Sequence, residues 1–512
     1  MTTKKQITSS FSWNTLTVVL QVVIQLAYTG LLARLVSPDS FTLMGIVLGI
    51  MGFAEIFSQV GVGPAIVQRK EINQQHINGA FYTAIILGVG FTMLFVLLAP
   101  ALASMWQIPQ LEKIIQVVCT SFFISALAVV PRSLMMRAMR FKVLFIASMI
   151  SIIGGNIIVG LILAYNGYNV WAYVWALFAQ NALMTIALWI LQPTKITGNW
   201  QWSYTRQLVR YGAGSTLFNA LNYFATKLDV MLVPLFAQRI PNTNLNDQLL
   251  KSAMYERSNY VMTQPITIMG KLSDSVLFSG MSRMQDDDHK LRKMFLIATN
   301  LLSIVIVPVT VFVCFFSKEL LVTWLGPQYE DAVPILQVLF VAVIFRSLSK
   351  LGDSLLRAKD AVYRGSWYKA INVILVAVGI FTTIRYGMTA VALSIVAATF
   401  VNYMMNMHLC VQLIQVKWID IFKALKPALI LGFAAALLCY VISFLVRTES
   451  PSDLIVLVIA AVYVFGTLAL AVYYRPEQLG DEKINPLFFL PERIQNLKFV
   501  KPMMARLKKN MA

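Results

Sequence analysis

A chain of 512 residues with 58% hydrophobic side chains, 13% charged ones and a mean hydropathy of +0.70 lies outside the range of soluble domains, where about 25% of residues are charged. Its net charge of +19 admits nucleic acid as a partner, yet basic residues in a membrane protein are first explained by orientation and anionic lipid. The four cysteines, Cys119, Cys314, Cys410 and Cys439, all fall in apolar stretches without paired spacing, which supports neither a disulfide framework nor a zinc site.

Apolar stretches recur from Trp13 to Tyr474, each long enough for a hydrocarbon core that takes about 20 helical residues. They predict fourteen helices at roughly 12–36, 41–67, 79–105, 112–131, 144–166, 169–191, 211–237, 253–279, 294–316, 332–357, 362–384, 387–415, 422–446 and 452–474. The first follows Lys4 and Lys5 but has no small-residue cleavage site after a short apolar core, so it reads as a helix and not as a signal peptide. The fold class is therefore all-α, a polytopic membrane protein.

With the N-terminus inside, the inner segments hold 30 basic residues and the outer ones 8, among them Arg34, Arg239, Lys251, Arg257 and Lys318. Arg357 to Lys369 counts among the inner segments. This bias supports the helix count and places both termini in the cytoplasm, and it makes nucleic-acid binding unnecessary. Nine of the ten tryptophans, all but Trp175, sit near predicted helix ends, as interfacial anchors do. The tail from Arg475 to Ala512 interleaves Arg493, Lys498, Lys501 and Arg506 with Leu497, Phe499 and Met503, which suits the inner leaflet.

An internal repeat recurs at about 220 residues. Ser133-Leu-Met-Met-Arg137-Ala138 matches Ser354-Leu-Leu-Arg357-Ala358, and Gly167 to Ala172 matches Gly387 to Ala392. A repeat spaced by six helices preserves direction, which implies two parallel six-helix lobes around a central cleft. The expected divisions are an N-lobe at 1–210, a C-lobe at 211–416, a helix pair at 417–474 and the basic tail at 475–512. This is transporter architecture.

Polar chemistry concentrates on particular helices. On the first, Asn14, Thr17, Gln21, Gln25 and Tyr28 share one face at about 100° per residue; on the seventh, Ser215, Asn219, Asn222, Thr226 and Asp229 do the same, with Lys227 projecting elsewhere. Hydrocarbon offers no hydrogen bonds, so both stripes should line protein or water. Charges inside spans are Glu55, Lys227, Asp229, Arg346, Lys350 and Asp353, each worth about 2.5–3.5 kcal/mol against lipid exposure. Arg346, Lys350, Asp353 and Arg357 stack along one face of the tenth helix. One reading has Arg346, Lys350 and Lys227 attract an anionic group such as a phosphate while Glu55, Asp229 or Asp353 binds a coupling cation. The other is a set of internal salt bridges, with Asp353 neutralising Lys350.

Catalytic constellations are missing from the sequence. His76, His289 and His408 are scattered without metal-ligand spacing, and Asp286-Asp-Asp288 reads as a solvated loop or helix start. No Gly-rich phosphate loop is seen, which disfavours direct ATP drive. No metal or cofactor is expected beyond a coupling proton or sodium ion.

Ala33-Arg-Leu-Val-Ser-Pro-Asp-Ser-Phe41, Gly52-Phe-Ala-Glu55, Gly61-Val-Gly-Pro-Ala-Ile-Val-Gln-Arg-Lys70, Val130-Pro-Arg132 with Arg140-Phe-Lys142, and Ser282-Arg-Met-Gln-Asp-Asp287 occur in order. Together they resemble bacterial polysaccharide transporters of the O-antigen and colanic-acid flippase type, within the multidrug/oligosaccharidyl-lipid/polysaccharide exporter superfamily. The resemblance implies flipping of an undecaprenyl-pyrophosphate-linked oligosaccharide across the inner membrane for lipopolysaccharide or exopolysaccharide assembly, by a monomer working beside a polysaccharide polymerase or assembly proteins. The segment Gln238 to Lys251 departs from the short turn expected after the seventh helix. A cation-coupled drug or metabolite exporter is the alternative, with a polysaccharide polymerase behind it; an enzyme of that kind should carry a large outer loop, and the longest here is about fifteen residues.

Overall fold

The computed structural model of the protein describes residues 4–59, 71–198, 226–272, 287–359, 361–447 and 452–474, with Gly63, Ile66, Tyr223, Phe224, Met281, Met284, Gln285, Pro502, Met503 and Ala505. Among these, Asn14 lies in a helix but its side chain is not described; Asn219, Asn222, Ser215, Asp286 and nearly all of the basic tail lie outside the described residues.

The described residues are helical and hold no strand. In chain order come α1 (Lys4–Leu35), α2 (Pro38–Gln59), α3 (Gln74–Trp106), α4 (Gln110–Arg137), α5 (Phe141–Tyr165) and α6 (Val170–Leu191). Then follow α7 (226–236 of it described), α8 (Leu245–Leu272), α9 (Asp288–Phe315), α10 (Val333–Ala358), α11 (Val362–Thr383), α12 (Met388–Ile414), α13 (Trp418–Arg447) and α14 (Asp453–Tyr474). Ten helices among the described residues are long and apolar enough to cross a membrane, and the chain is a multi-pass membrane protein. Helix α8 is not among the ten, because Glu256, Arg257, Asn259 and Gln264 make it too polar.

Local chemistry moves several helix starts earlier than hydropathy predicts. Asn73 caps α3 by accepting from the His76 amide at 3.0 Å while the His76 ring accepts from the Asn73 amide at 3.4 Å, a reciprocal box. Asn244 and Asp247 do the same for α8, with bonds of 2.9 and 3.3 Å. The segment Gln238 to Lys251 is thereby corrected: a single 3₁₀ turn at Ala237–Arg239 leads into a helix that already includes Leu245 to Lys251. Arg257, counted with the outer segments, lies within α8 and is 3% exposed. Asp287 accepts from the Lys290 amide at 3.1 Å and starts α9.

The interruption inside α5 has no hydropathy signal. Ile153–Gly160 is a π-helical segment, an arrangement found at functional sites. Between α9 and α10 the chain forms a short helix at Ser317–Leu325 and a 3₁₀ turn at Pro327–Ala332.

The chain divides into two compact units, Met1–Glu256 and Arg257–Ala512. In the first, α4 packs on α3 and α6, and α5 on α1 and α6. In the second, α10 packs on α9 and α12, and α11 on α12, with α13 added against α9. Gly167 (φ +80°) and Gly387 (φ +101°) make the left-handed turns into α6 and α12. Ser133 and Ser354 each donate to the carbonyl four residues back. These correspondences follow the sequence repeat.

The cores are aliphatic and aromatic. Trp106, Leu111, Ile115 and Cys119 meet Val47 in the first unit; Phe295, Leu351, Leu355 and Cys410 meet in the second. All four cysteines are free, and Cys119, Cys410 and Cys439 are buried.

Candidate functional site

In the second unit, the charges of α10 meet α11 and α12. Arg346 and Lys350 are half-buried on α10, while Asp353 is buried. Asp353 accepts from Lys369 Nζ of α11 at 2.8 Å and from Asn406 Nδ2 of α12 at 3.0 Å. Both donors are themselves buried. A carboxylate in an apolar span needs such partners, since removing it from water is repaid only by direct charge pairing and full hydrogen bonding.

Close helix approach makes this geometry possible. A Cβ on Gly352 would collide with Asn406 Oδ1 and come within 3.3 Å of the Cys410 sulfur, so only glycine lets α12 lie close enough for its amide to reach Asp353. Asn406 also donates to the Ser349 carbonyl at 3.4 Å. One turn further along α10, Arg357 donates to the Asp353 carbonyl at 3.4 Å and to Ser354 Oγ at 3.4 Å.

Two sequence expectations change here. Asp353 is bonded directly by Lys369, which the sequence did not pair with it, and Lys369 is a buried residue of α11 where the charge pattern had counted it in an inner segment. Its position eight residues into an apolar helix carried no periodic signal, because Arg364 and Tyr368 around it read as an ordinary basic loop and interfacial anchor.

In the first unit the polar groups are more dispersed. Asp229 on α7 is 2% exposed and accepts from the Tyr255 hydroxyl of α8 at 2.9 Å. Lys227 is half-buried. Glu55 is exposed on α2. The Tyr223 hydroxyl reaches the Leu48 and Gly49 carbonyls, each at 3.0 Å; Gly52, part of the motif ending in Glu55, admits that ring, since a Cβ there would strike the Tyr223 hydroxyl.

The stripe on α1 meets α5. Gln21 is half-buried, and Gln25 Oε1 accepts from Asn156 Nδ2 at 3.2 Å. Asn156 is 3% exposed and belongs to the π-helical segment, which the sequence did not reveal. Tyr28 lies edge-on to Tyr173 at 6.3 Å and is 2% exposed, which makes it a packing residue. Thus Gln25 is engaged by protein, Tyr28 is core, and Arg346, Lys350 and Lys227 retain partial exposure.

Among the described residues, no group of three or more His, Cys, Asp or Glu could hold a metal ion. Asp287 and Asp288 serve the N-terminal end of α9 instead: Lys290 binds Asp287 at 2.9 Å and Lys359 binds Asp288 at 2.6 Å. The hydrogen bonds from Lys290 hold the Asp287 carboxyl below its ordinary value.

A family of polysaccharide biosynthesis proteins matches residues 31–334. An uncharacterized membrane protein in the cps region of Klebsiella pneumoniae is 22% identical over 414 residues, 79% of this chain and 82% of the relative. The lipopolysaccharide biosynthesis protein WzxC of Escherichia coli (strain K12) is 22% identical over 373 residues, 71% of this chain and 72% of the relative. Among solved structures, lipid II flippase MurJ in an inward closed conformation superposes with a TM-score of 0.66 at 13% identity, covering 89% of this chain and 99% of that one. At that identity the likeness shows a shared fold.

Proposed function

The chain belongs to the family of polysaccharide biosynthesis proteins, and from that premise we propose that it flips an undecaprenyl-pyrophosphate-linked oligosaccharide, a surface-polysaccharide repeat unit, across the bacterial cytoplasmic membrane by alternating access. WzxC is named for lipopolysaccharide biosynthesis and MurJ for flipping lipid II; both names point to glycan substrates.

The observation that carries the reading is the half-buried pair Arg346 and Lys350 inside the apolar span of α10. A charge in mid-span is retained against a cost of about 2.5–3.5 kcal/mol. The buried acid on the same helix is bonded to Lys369. A pyrophosphate supplies the complementary charge, and arginine offers it a forked donor.

Coupling to H+ or Na+ falls to Asp229 and Glu55, with Asp353 able to contribute only by releasing Lys369. Lys227 is a further cation for the head group. Asn14, Gln21, Gln25, Asn219 and Asn222 supply polar lining. The protein acts as a monomer, with N- and C-termini cytoplasmic and the basic tail on the inner leaflet, and hands its product to a polymerase or other assembly proteins.

In a strain deleted for the gene, complementation by Arg346→Ala or Lys350→Ala should leave the protein in the membrane, stop glycan export and accumulate lipid-linked repeat units inside. Normal export by both variants removes the pair from the transport path.

A further inference from the structure

Between Tyr260 and Thr267 the less buried face of α8 is polar. Tyr260, Thr263, Gln264 and Thr267 follow the three- and four-residue spacing of one helix face and are half-buried or exposed, while Val261, Met262 and Ile266 opposite them are buried. The polar donors turn inward: Thr263 Oγ1 and Gln264 Nε2 donate to the Tyr260 carbonyl at 2.9 and 3.2 Å, and Thr267 Oγ1 donates to the Thr263 carbonyl at 2.9 Å. Their oxygens remain able to accept. Hydrocarbon cannot use those acceptors, so this face borders water or a polar ligand.

At the outer end of the face two rings come together. The Tyr260 and Trp324 centroids are 6.2 Å apart at 33°, and the Arg257 guanidinium lies 5.0 Å over the Tyr260 ring. Trp324 is carried on the short helix Ser317–Leu325, pinned by the fully buried Leu321 and Leu325. Ser258 ties α8 to the following turn by donating to the Ala332 carbonyl at 3.2 Å. The rings are thus held on rigid supports, and each is only half-buried.

We propose that Tyr260 and Trp324 form a stacking platform for a sugar ring of the transported head group, a subsite that rests on the flippase reading above. A pyranose has an apolar face of C–H groups, which suits the negative face of an aromatic ring, and a rim of hydroxyls, which suits neighbouring hydroxyl and amide oxygens. A lipid chain would use the rings but offer no donor to the oxygens of Thr263, Gln264 and Thr267. An interfacial tryptophan anchor would not be expected to pack against a helix whose open face is polar.

Full-length wild type, Trp324→Ala, Tyr260→Leu and Trp324→Phe in detergent are titrated with two lipid probes, lipid-linked oligosaccharide extracted from the deletion strain and undecaprenyl pyrophosphate without sugar, and separately with ethidium. Trp324→Ala and Tyr260→Leu should bind the oligosaccharide about tenfold more weakly, Trp324→Phe should recover most of the loss, and binding of undecaprenyl pyrophosphate should not change. Unchanged oligosaccharide binding, or equal weakening toward both probes, overturns the platform and leaves the flippase reading standing. A wild type that binds neither probe overturns both. If Trp324→Ala instead loses binding of ethidium while keeping the oligosaccharide, the rings serve an aromatic cation, and the platform is again rejected.

Discussion

Helices α4, α5 and α6 of the first unit and α10, α11 and α12 of the second pack in the same pairs, yet their interiors differ in charge. With Ser133 aligned to Ser354 (offset 221) and Arg137 to Arg357 (offset 220), the residues Arg346, Lys350 and Asp353 fall on Ser125, Val129 and Arg132, and Lys369 falls on Met149. Of these four only Arg132 is charged, and it is exposed. Within α4 to α6 buried polar groups make neutral bonds, such as Thr185 to the Ile124 carbonyl at 3.1 Å and Trp189 to the Leu127 carbonyl at 2.9 Å. Their helix starts differ in the same way, with neutral Asn73 capping α3 and charged Asp287 capping α9. Helices α4 to α6 therefore pack in this arrangement without the buried ion pair that α10 to α12 carry.

The harshest test of that contrast is Asp353→Ala, which leaves Lys369 buried without its carboxylate and should lower stability by about 3–5 kcal/mol in detergent unfolding, whereas Asp353→Leu with Lys369→Met should recover most of it. If the double variant is as unstable as the single, the pair is needed for folding and the contrast with the first unit fails. Gly352→Ala should be milder, about 1–3 kcal/mol, because the new methyl displaces Asn406 from Asp353; an unchanged midpoint would mean that α12 can retreat without penalty. In the first unit, Asn156→Ala removes one bond to Gln25 and should cost about 1 kcal/mol. A loss as large as that of Asp353→Ala would show that the π-helical segment depends on that bond.

The smallest effect is expected at Asp287. Its folded value is lowered by Lys290 from an ordinary 3.8, so the stability it contributes is present above that ordinary value and lost as pH falls through the lowered one. Asp287→Asn keeps a side-chain cap but should flatten the acid limb of a pH–unfolding profile below about pH 4. A limb of unchanged slope would assign it to other carboxylates.

Much of this protein was legible beforehand for definite reasons. Apolar length located α3 to α6 and α9 to α14 because hydrocarbon thickness leaves little choice, and the paired Ser–Arg and glycine motifs announced the repeat that Gly167 and Gly387 make physical. Arg346, Lys350 and Asp353 stood out because charge in a span is rare. Lys369 did not, because a lysine near a helix end looks like an inner-loop cation until a partner is seen. Arg257 was hidden similarly, since the Asn244–Asp247 box that carries α8 backward is a matter of backbone amides and leaves hydropathy unchanged. Asn219 and Asn222 lie outside the described residues and remain expectations.

By itself the sequence determined that this is a many-span helical membrane protein with an internal repeat and charged groups inside its spans, because solvent class and helix period are properties of local composition. Only the tertiary structure decided which groups meet: that Asp353 belongs to Lys369 and Asn406, that Asn156 reaches Gln25 from a π-helical segment, and that Tyr260 and Trp324 stand together. Those pairings join residues 16 to 131 positions apart, from Asp353 with Lys369 to Gln25 with Asn156, and the one between Asp353 and Asn406 depends on the gap that Gly352 leaves, which no one-dimensional pattern records.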